Sequence, residues 1–286
     1  MSLRKLIGRH FSPDESCSIP LGRSDDRSTI VGHLQLERVS KKYVSAGQIT
    51  LDLQHVSIEI PSGSVVTIMG ASGIGKSTLL NIAAGIVHPD YGRVLLDGVP
   101  IDGPGPERLV LFQEDATLPW LTARENIIFA LCTARDLARA DAKYIADRFL
   151  GEVGLENFGD LYPKQLSGGA KKRVEVARSL AVDARIIIAD EPFTGIDSLA
   201  RFELQVRFRS LCKAGDRSVL LSTHDPEEAL LMSDYIHVMT KKPNSHFLPP
   251  IHISRDRELA AIEWQASPSY QEQLSELRKL IMVASK

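Results

Sequence analysis

The sequence predicts an α/β fold, and three observations predict it. A buried apolar run, Val65 to Met69, leads through a glycine-rich turn into an apolar helix beginning near Lys76. Two later runs, Ile186 to Ala189 and Val219 to Leu221, are short, apolar and non-alternating, as strands covered on both faces are. From Pro119 to about Gly154 the pattern turns helical inside this otherwise strand-bearing chain. The expected architecture is a parallel core sheet, an antiparallel β edge ahead of it, and an inserted helical subdomain.

Taken in order, residues 1 to 32 carry Pro13, Pro20, Gly22 and Asp25-Asp26 with no sustained period, and are expected to form a flexible tail. Leu34 and Leu36 alternate with Gln35 and Glu37, a first strand; Val56, Ile58 and Ile60 do the same before the Pro61-Ser62-Gly63 turn. These strands form the antiparallel edge. Val94 to Leu96 and Leu109 to Phe112 are two more short strands, parted by Gly103-Pro104-Gly105-Pro106. Thr122-Ala123-Arg124-Glu125 is a capping box that opens a helix. Ile145, Phe149 and Val153 stripe the next one. In the helix after Leu166-Ser167-Gly168-Gly169-Ala170, Val174, Ala177 and Ala181 face inward, with Lys171, Lys172, Glu175 and Arg178 on the polar side. Asp225-Pro226-Glu227-Glu228 is a further helix start. Residues 241 to 258 are expected to be loop-like. Ser267-Pro268 then opens a last helix whose apolar face, Tyr270, Leu274, Leu277 and Ile281, packs on the domain or on a partner. The domain division expected is therefore a tail over 1–32, a main α/β domain over 33–240 with its helical part at about 115–182, and a C-terminal extension over 241–286.

Composition excludes some functions. The net charge of −2 leaves no basic footprint for indiscriminate nucleic-acid binding, so no nucleic-acid partner is expected. Cys17, Cys132 and Cys212 fit neither a disulfide framework nor a zinc cluster, which points to a reducing compartment. No apolar run approaches the roughly 18 residues of a membrane-spanning helix, and no continuous apolar stretch follows Arg4, Lys5 and Arg9, so no secretory signal is expected. A role at a membrane must come through a partner.

The chemistry concentrates at Gly70-Ala71-Ser72-Gly73-Ile74-Gly75-Lys76-Ser77-Thr78, the pattern G-x-x-x-x-G-K-S/T with a strand before and a helix after. The glycines allow close backbone approach, and the amides of Gly70 through Gly75 can turn toward phosphate oxygens at a helix N-terminus. Lys76 supplies a point charge for the β- and γ-phosphates, and the Ser77 hydroxyl suits Mg²⁺. Asp190 and Glu191 end an apolar strand: the first acid suits Mg²⁺ or its water, the second the activation of a water for attack on the γ-phosphate. Ser167, Gly168 and Gly169 form either a simple N-cap or a second anion-binding helix start; the second is one more than a single triphosphate needs, and so points to two copies sharing nucleotides.

Together the phosphate loop, Leu166 to Ala170 and Ile186 to Asp197 resemble the ATP-binding cassette (ABC) family, over roughly residues 34 to 240. The resemblance implies a P-loop NTPase (RecA-like) core, ATP and Mg²⁺ as ligands, and ATP hydrolysis. It implies two ATPase subunits meeting head to tail, a second copy or a sibling chain, each ATP held between one phosphate loop and the other subunit's Ser167, Gly168 and Gly169. Gln113 matches the family's glutamine that touches Mg²⁺ and senses the membrane partner; Gly195-Ile196-Asp197 matches the segment linking the two sites. His224 matches the histidine that contacts the γ-phosphate, and Tyr43 sits where an aromatic stacks on adenine, although a surface tyrosine is the alternative.

Further motifs are similar to the nitrate/sulfonate/taurine importer ATPases: Phe112-Gln113-Glu114, Leu118-Pro119-Trp120-Leu121-Thr122, Tyr162-Pro163 and Asp190-Glu191-Pro192-Phe193. An integral membrane permease, and indirectly a periplasmic or surface solute-binding protein, are the partners this implies, with the chain peripheral on the cytoplasmic side of the inner membrane. Trp120 is either a contact for the permease or a core aromatic of the helical insertion. Ala170 stands where glutamine is commoner, and Gly195-Ile196 where a small residue and Leu are usual. The alternatives are an exporter or lipid-trafficking ATPase, which shares the motor chemistry, and a soluble ABC ATPase, for which the expected coiled-coil insertions or basic stripe are missing.

Overall fold

The structure, a computed structural model, describes residues 32–45, 48–240, 246–255 and 259–285, with the backbone alone at 44, 45 and 48–51. All of them belong to one compact unit, Val31–Lys286. The tail expected over 1–32 lies outside the described residues except for Gly32, which is buried and whose amide donates to Asp97 Oδ1 at 2.7 Å.

Two sheets carry the fold. Strands β1 (Leu34–Ser45) and β2 (Gln48–Ile60) form a long antiparallel hairpin, extended by β4 (Tyr91–Leu96) and β5 (Val99–Pro100) into a four-stranded sheet in the order β2-β1-β4-β5. Alternation sets the register: Leu34 and Leu36 of β1 and Val56, Ile58 and Ile60 of β2 are all buried on one face. The second sheet has six strands in the order β10-β9-β3-β8-β7-β6, from β3 (Val65–Met69), β6 (Arg108–Leu111), β7 (Ile186–Asp190), β8 (Ser218–Thr223), β9 (Tyr235–Val238) and β10 (Ile251–His252). The five from β9 to β6 are parallel, and β10 closes the edge antiparallel within the stretch expected to be loop. Every residue of β3 and β8 is buried, which is why neither alternates.

Helix α1 (Lys76–Ala84) lies between the two sheets; Leu79, Leu80, Ile82 and Ala83 share one core with Leu36, Ile58 and Ile188. It stops at Gly85, φ 78°, where the left-handed turn presses so close to Gly103 that any Cβ would collide with its carbonyl. The helical block consists of α2 (Ala123–Arg135), α3 (Arg139–Glu152) and α4 (Gly168–Val182), and its core, with Ile127, Leu131, Phe149 and Leu180, runs on into Ile187 and Leu221 of the parallel sheet. The predicted capping box is present: Glu125 N donates to Thr122 Oγ1 at 3.2 Å, and Thr122 N to Glu125 Oε2 at 3.1 Å. In α3 the buried face is Ala142, Ala146, Phe149 and Leu150, with Ile145 only half-buried.

Helix α5 (Ser198–Ala214) and α6 (Pro226–Met232) complete the core domain, each capped by an aspartate, Asp197 and Asp225. The C-terminal helices α7 (Ala261–Gln265) and α8 (Pro268–Ala284) pack on the domain. Tyr270, Leu274 and Leu277 join Trp264, Leu230, Ile236 and Met69 in a third core, which decides where the α8 face goes.

Candidate functional site

The parallel register brings three strand ends level: Met69 pairs with Thr223, and Asp190 with Ser222. The segments leaving these strands therefore converge, as ligand-binding loops do at the carboxyl edge of such sheets. The phosphate loop leaves β3, Glu191 stands just past β7 and His224 just past β8. They line one cavity of about 460 Å³ together with Ser72, Gly73, Gly75, Ser77, Thr78, Gln113 and Asp190.

Gly75 caps α1 at φ 116°, and a Cβ there would stand 2.9 Å from Leu53 Cδ2 and 3.0 Å from the Asp52 carbonyl oxygen. Only glycine fits, so the loop lies tight against β2 with its other side open to the cavity. Lys76 is buried, and its Nζ donates to the carbonyls of Gly70 at 2.8 Å and Ala71 at 3.1 Å. Burial lowers its pKa, and the nearby Glu191 and Asp190 carboxylates act in the opposite direction.

The paired acids are held firmly. Ser222 Oγ donates to Asp190 Oδ1, fixing that carboxylate. Glu191 has φ 44°, an uncommon backbone angle for a residue with a side chain, and its amide donates to Ser222 O at 3.2 Å. Such strain persists where surrounding structure enforces it, here at the end of a buried strand. The turn aims Glu191 at His224: Nδ1 lies 3.1 Å from Glu191 Oε1, and Thr194 Oγ1 lies 3.5 Å from Oε2.

Not every expected residue reaches the cavity wall. Gly70 and Ala71 serve through their carbonyls on Lys76, and the Ile74 side chain is buried in the core. Tyr43 is 42% exposed on β1 and lies off the wall. Ser167, Gly168 and Gly169 also lie off it. Ser167 and Gly168 are exposed, and Ser167 Oγ accepts from Ala170 N at 3.2 Å. Gly169 packs near Gly195 and Ile196, which sets the linking segment against the start of α4. Trp120 is 69% exposed, which excludes the core role. Buried Asn126 holds the turn that presents it, accepting from Leu118 N at 2.7 Å and donating to Thr122 O at 2.9 Å. Asp52 lines the cavity without having been expected there, since a single acid between Leu51 and Leu53 looks like an ordinary polar position of an alternating strand.

One expectation is corrected. Lys172 and Glu175, placed on the polar side of α4, are 6% and 1% exposed and form a buried ion pair at 3.0 Å. Residues 112–117 cover that face of the helix, which periodicity within α4 cannot foresee.

The residues present fit a nucleoside triphosphate with Mg²⁺. A buried cation sits beside a glycine-rich loop packed tightly on β2 at Gly75, and Ser77, Gln113 and Asp190 offer the hard oxygen donors that Mg²⁺ takes. Sheet order, loop and paired acids define a phosphate-loop nucleoside triphosphatase fold. The ABC transporter family model matches residues 53–194. The bicarbonate transport ATP-binding protein CmpC of Synechococcus elongatus is 38% identical over 244 residues, 85% of this chain and 37% of the relative, so the chain spans little more than a third of that protein. The uncharacterized ABC transporter ATP-binding protein MJ0412 of Methanocaldococcus jannaschii is 37% identical over 232 residues, 81% of this chain and 86% of the relative. Among solved structures, the dimeric post-hydrolysis state of the ATP-binding cassette MJ0796 bound to ADP and Pi aligns with a TM-score of 0.70 at 28% identity, covering 77% of this chain and 99% of that one. The chain belongs to the ABC transporter family.

Proposed function

We propose that this chain is the ATP-hydrolysing subunit of an ABC importer for a small solute, acting as a pair of subunits on a membrane permease. The observation that carries the hydrolytic part is Glu191, turned by its left-handed backbone to face His224 within the cavity that holds Lys76. In this reading Glu191 accepts the proton of the attacking water, and His224 completes the γ-phosphate contacts. Lys76, freed from the Gly70 and Ala71 carbonyls, offsets phosphate charge together with the loop amides. Ser77, Gln113 and Asp190 would hold Mg²⁺, which supplies further charge neutralisation when bound.

Pairing is supported by the exposed Ser167 and Gly168, whose helix start lies off the chain's own cavity wall and so is available to a nucleotide held by a partner subunit. An assembly with a permease is supported by exposed Trp120 on a rigidly held turn. Among the described residues no helix is long and apolar enough to cross a membrane; a peripheral place on the cytoplasmic side is supported by the likeness to transport ATP-binding proteins. The likeness to CmpC and the nitrate/sulfonate/taurine motifs favour a small anion as the solute, delivered by a solute-binding protein. Glu191→Gln tests the core of this reading. Mg-ATP binding should persist while turnover falls by about 10² or more, the size expected for loss of a general base; undiminished hydrolysis removes Glu191 from the role.

A further inference from the structure

We propose that Lys172 and Glu175 are positioning residues of the ATP site, a buried pair on α4 that sets where the backbone of Gln113 stands. This rests on the reading of Gln113 as part of the hydrolytic site. Lys172 Nζ donates to the carbonyl of Gln113 at 3.2 Å and to that of Phe112, and pairs with Glu175 Oε2 at 3.0 Å. The other Glu175 oxygen, Oε1, accepts from Ala116 N at 2.6 Å. Two flanking side chains extend the grip: Arg178 Nη1 donates to Ala116 O at 3.0 Å, and Lys171 Nζ lies 3.0 Å from Asp115 Oδ2. Four side chains of one helix thus hold the segment from Phe112 to Ala116, within which Gln113 lines the cavity.

A buried ion pair is a poor choice for stability alone, because desolvating two charges consumes most of what their attraction returns. Apolar side chains of similar size would hold α4 against the segment as well. What they cannot do is direct hydrogen bonds to particular backbone groups, and the pair makes three such bonds between Phe112 and Ala116. The same helix begins at Ser167, so its two ends face different tasks: the start is exposed for a partner, and the middle fixes the chain's own Gln113. A shift of α4 on engagement of Ser167 would carry Gln113 with it. The pair is thereby a tie between the half-site offered and the half-site kept.

The experiment separates positioning from stability. Lys172→Met or Glu175→Gln alone leaves one buried group without its partner and should lower the melting temperature. The double variant Lys172→Met/Glu175→Met removes both charges and should recover it. If the pair positions Gln113, the double variant keeps an ATP Kd within threefold of wild type, yet its kcat, measured with the co-purifying membrane protein, falls about ten- to a hundredfold, as for a misplaced group. Lys172→Arg, which keeps the charge and donors, should retain most of that rate. A folded double variant hydrolysing ATP at the wild-type rate overturns the proposal, as does a loss that appears in Kd instead of kcat. Should the double variant not fold, Lys172→Arg and Glu175→Gln decide on the same kcat-against-Kd comparison. A wild-type chain that hydrolyses no ATP removes the functional reading itself, and this inference with it; that outcome is visible before any variant is compared.

Discussion

Glu228 sits in the first turn of α6, four residues after His224, and is 6% exposed with Gln205 Nε2 donating to its Oε2 at 2.8 Å. Burial pushes its pKa up to about 7, with Asp225 adding to the rise and Thr223, Arg201 and Gln205 opposing it. A carboxyl whose folded pKa exceeds its unfolded value of 4.5 favours the fold most below pH 4.5, and that contribution is lost as pH rises through 7. Glu228→Gln should therefore match wild type near pH 4 and exceed it at pH 8, by up to about 3 kcal/mol for a shift of this size. Melting curves of both proteins across that range check it; parallel curves would dismiss a charged Glu228 as a cost. At this scale the sequence is legible where a residue's role comes from its own strand end or loop. Lys76, Ser77, Asp190, Glu191 and His224 all line one cavity. It is not legible where a distant segment supplies the environment. Lys172 and Glu175 look solvent-facing until residues 112–117 are laid over them, and Asp52 lines the cavity from β2, against which Gly75 packs.

The most legible elements are those with strong local punctuation. The Thr122 box, the Asp225-Pro226 start and the Ser267-Pro268 start are all helix N-termini in the structure, and the apolar runs at 65–69, 186–189 and 219–221 are strands. Helix α5 escapes prediction because its buried stripe, Leu204, Phe208 and Cys212, is narrow and set among Arg201, Glu203, Arg207 and Arg209. Strand β9 is only Tyr235–Val238, too short to show a period, and is made a strand by its parallel pairing with β3. The α8 face is visible in the sequence, but only its packing partners reveal what it covers: Leu277 is fully buried in the core that contains Met69, the last residue before the phosphate loop. Leu277→Ala should lower unfolding free energy by about 2–5 kcal/mol, the range for a truncated core leucine. Denaturant titration measures it, and a change below about 1 kcal/mol would mean that α8 is held by something other than this core.

For the whole molecule, the exposed helix start at Ser167 lies off the cavity around Lys76, and in the proposed pairing a second copy or sibling chain brings the two surfaces together. Two defective chains should then repair each other. A Lys76→Ala chain has a disabled cavity and a sound Ser167; a Ser167→Arg chain has the reverse. Mixed on one permease, they assemble one sound pair of surfaces, and ATPase activity absent from either alone should reappear. No recovery on mixing, with both variants folded and assembled, counts against sharing. The level strand ends of β3, β7 and β8 have a last consequence. Their spacing is fixed by ladder hydrogen bonds at about 4.8 Å per step, so the main-chain lattice acts as a ruler for the lysine, the carboxylates and the histidine. Fraying at the margins of the protein leaves that ruler intact, and on heating the wild-type chain hydrolysis should fail as the innermost amides begin to exchange with solvent deuterium.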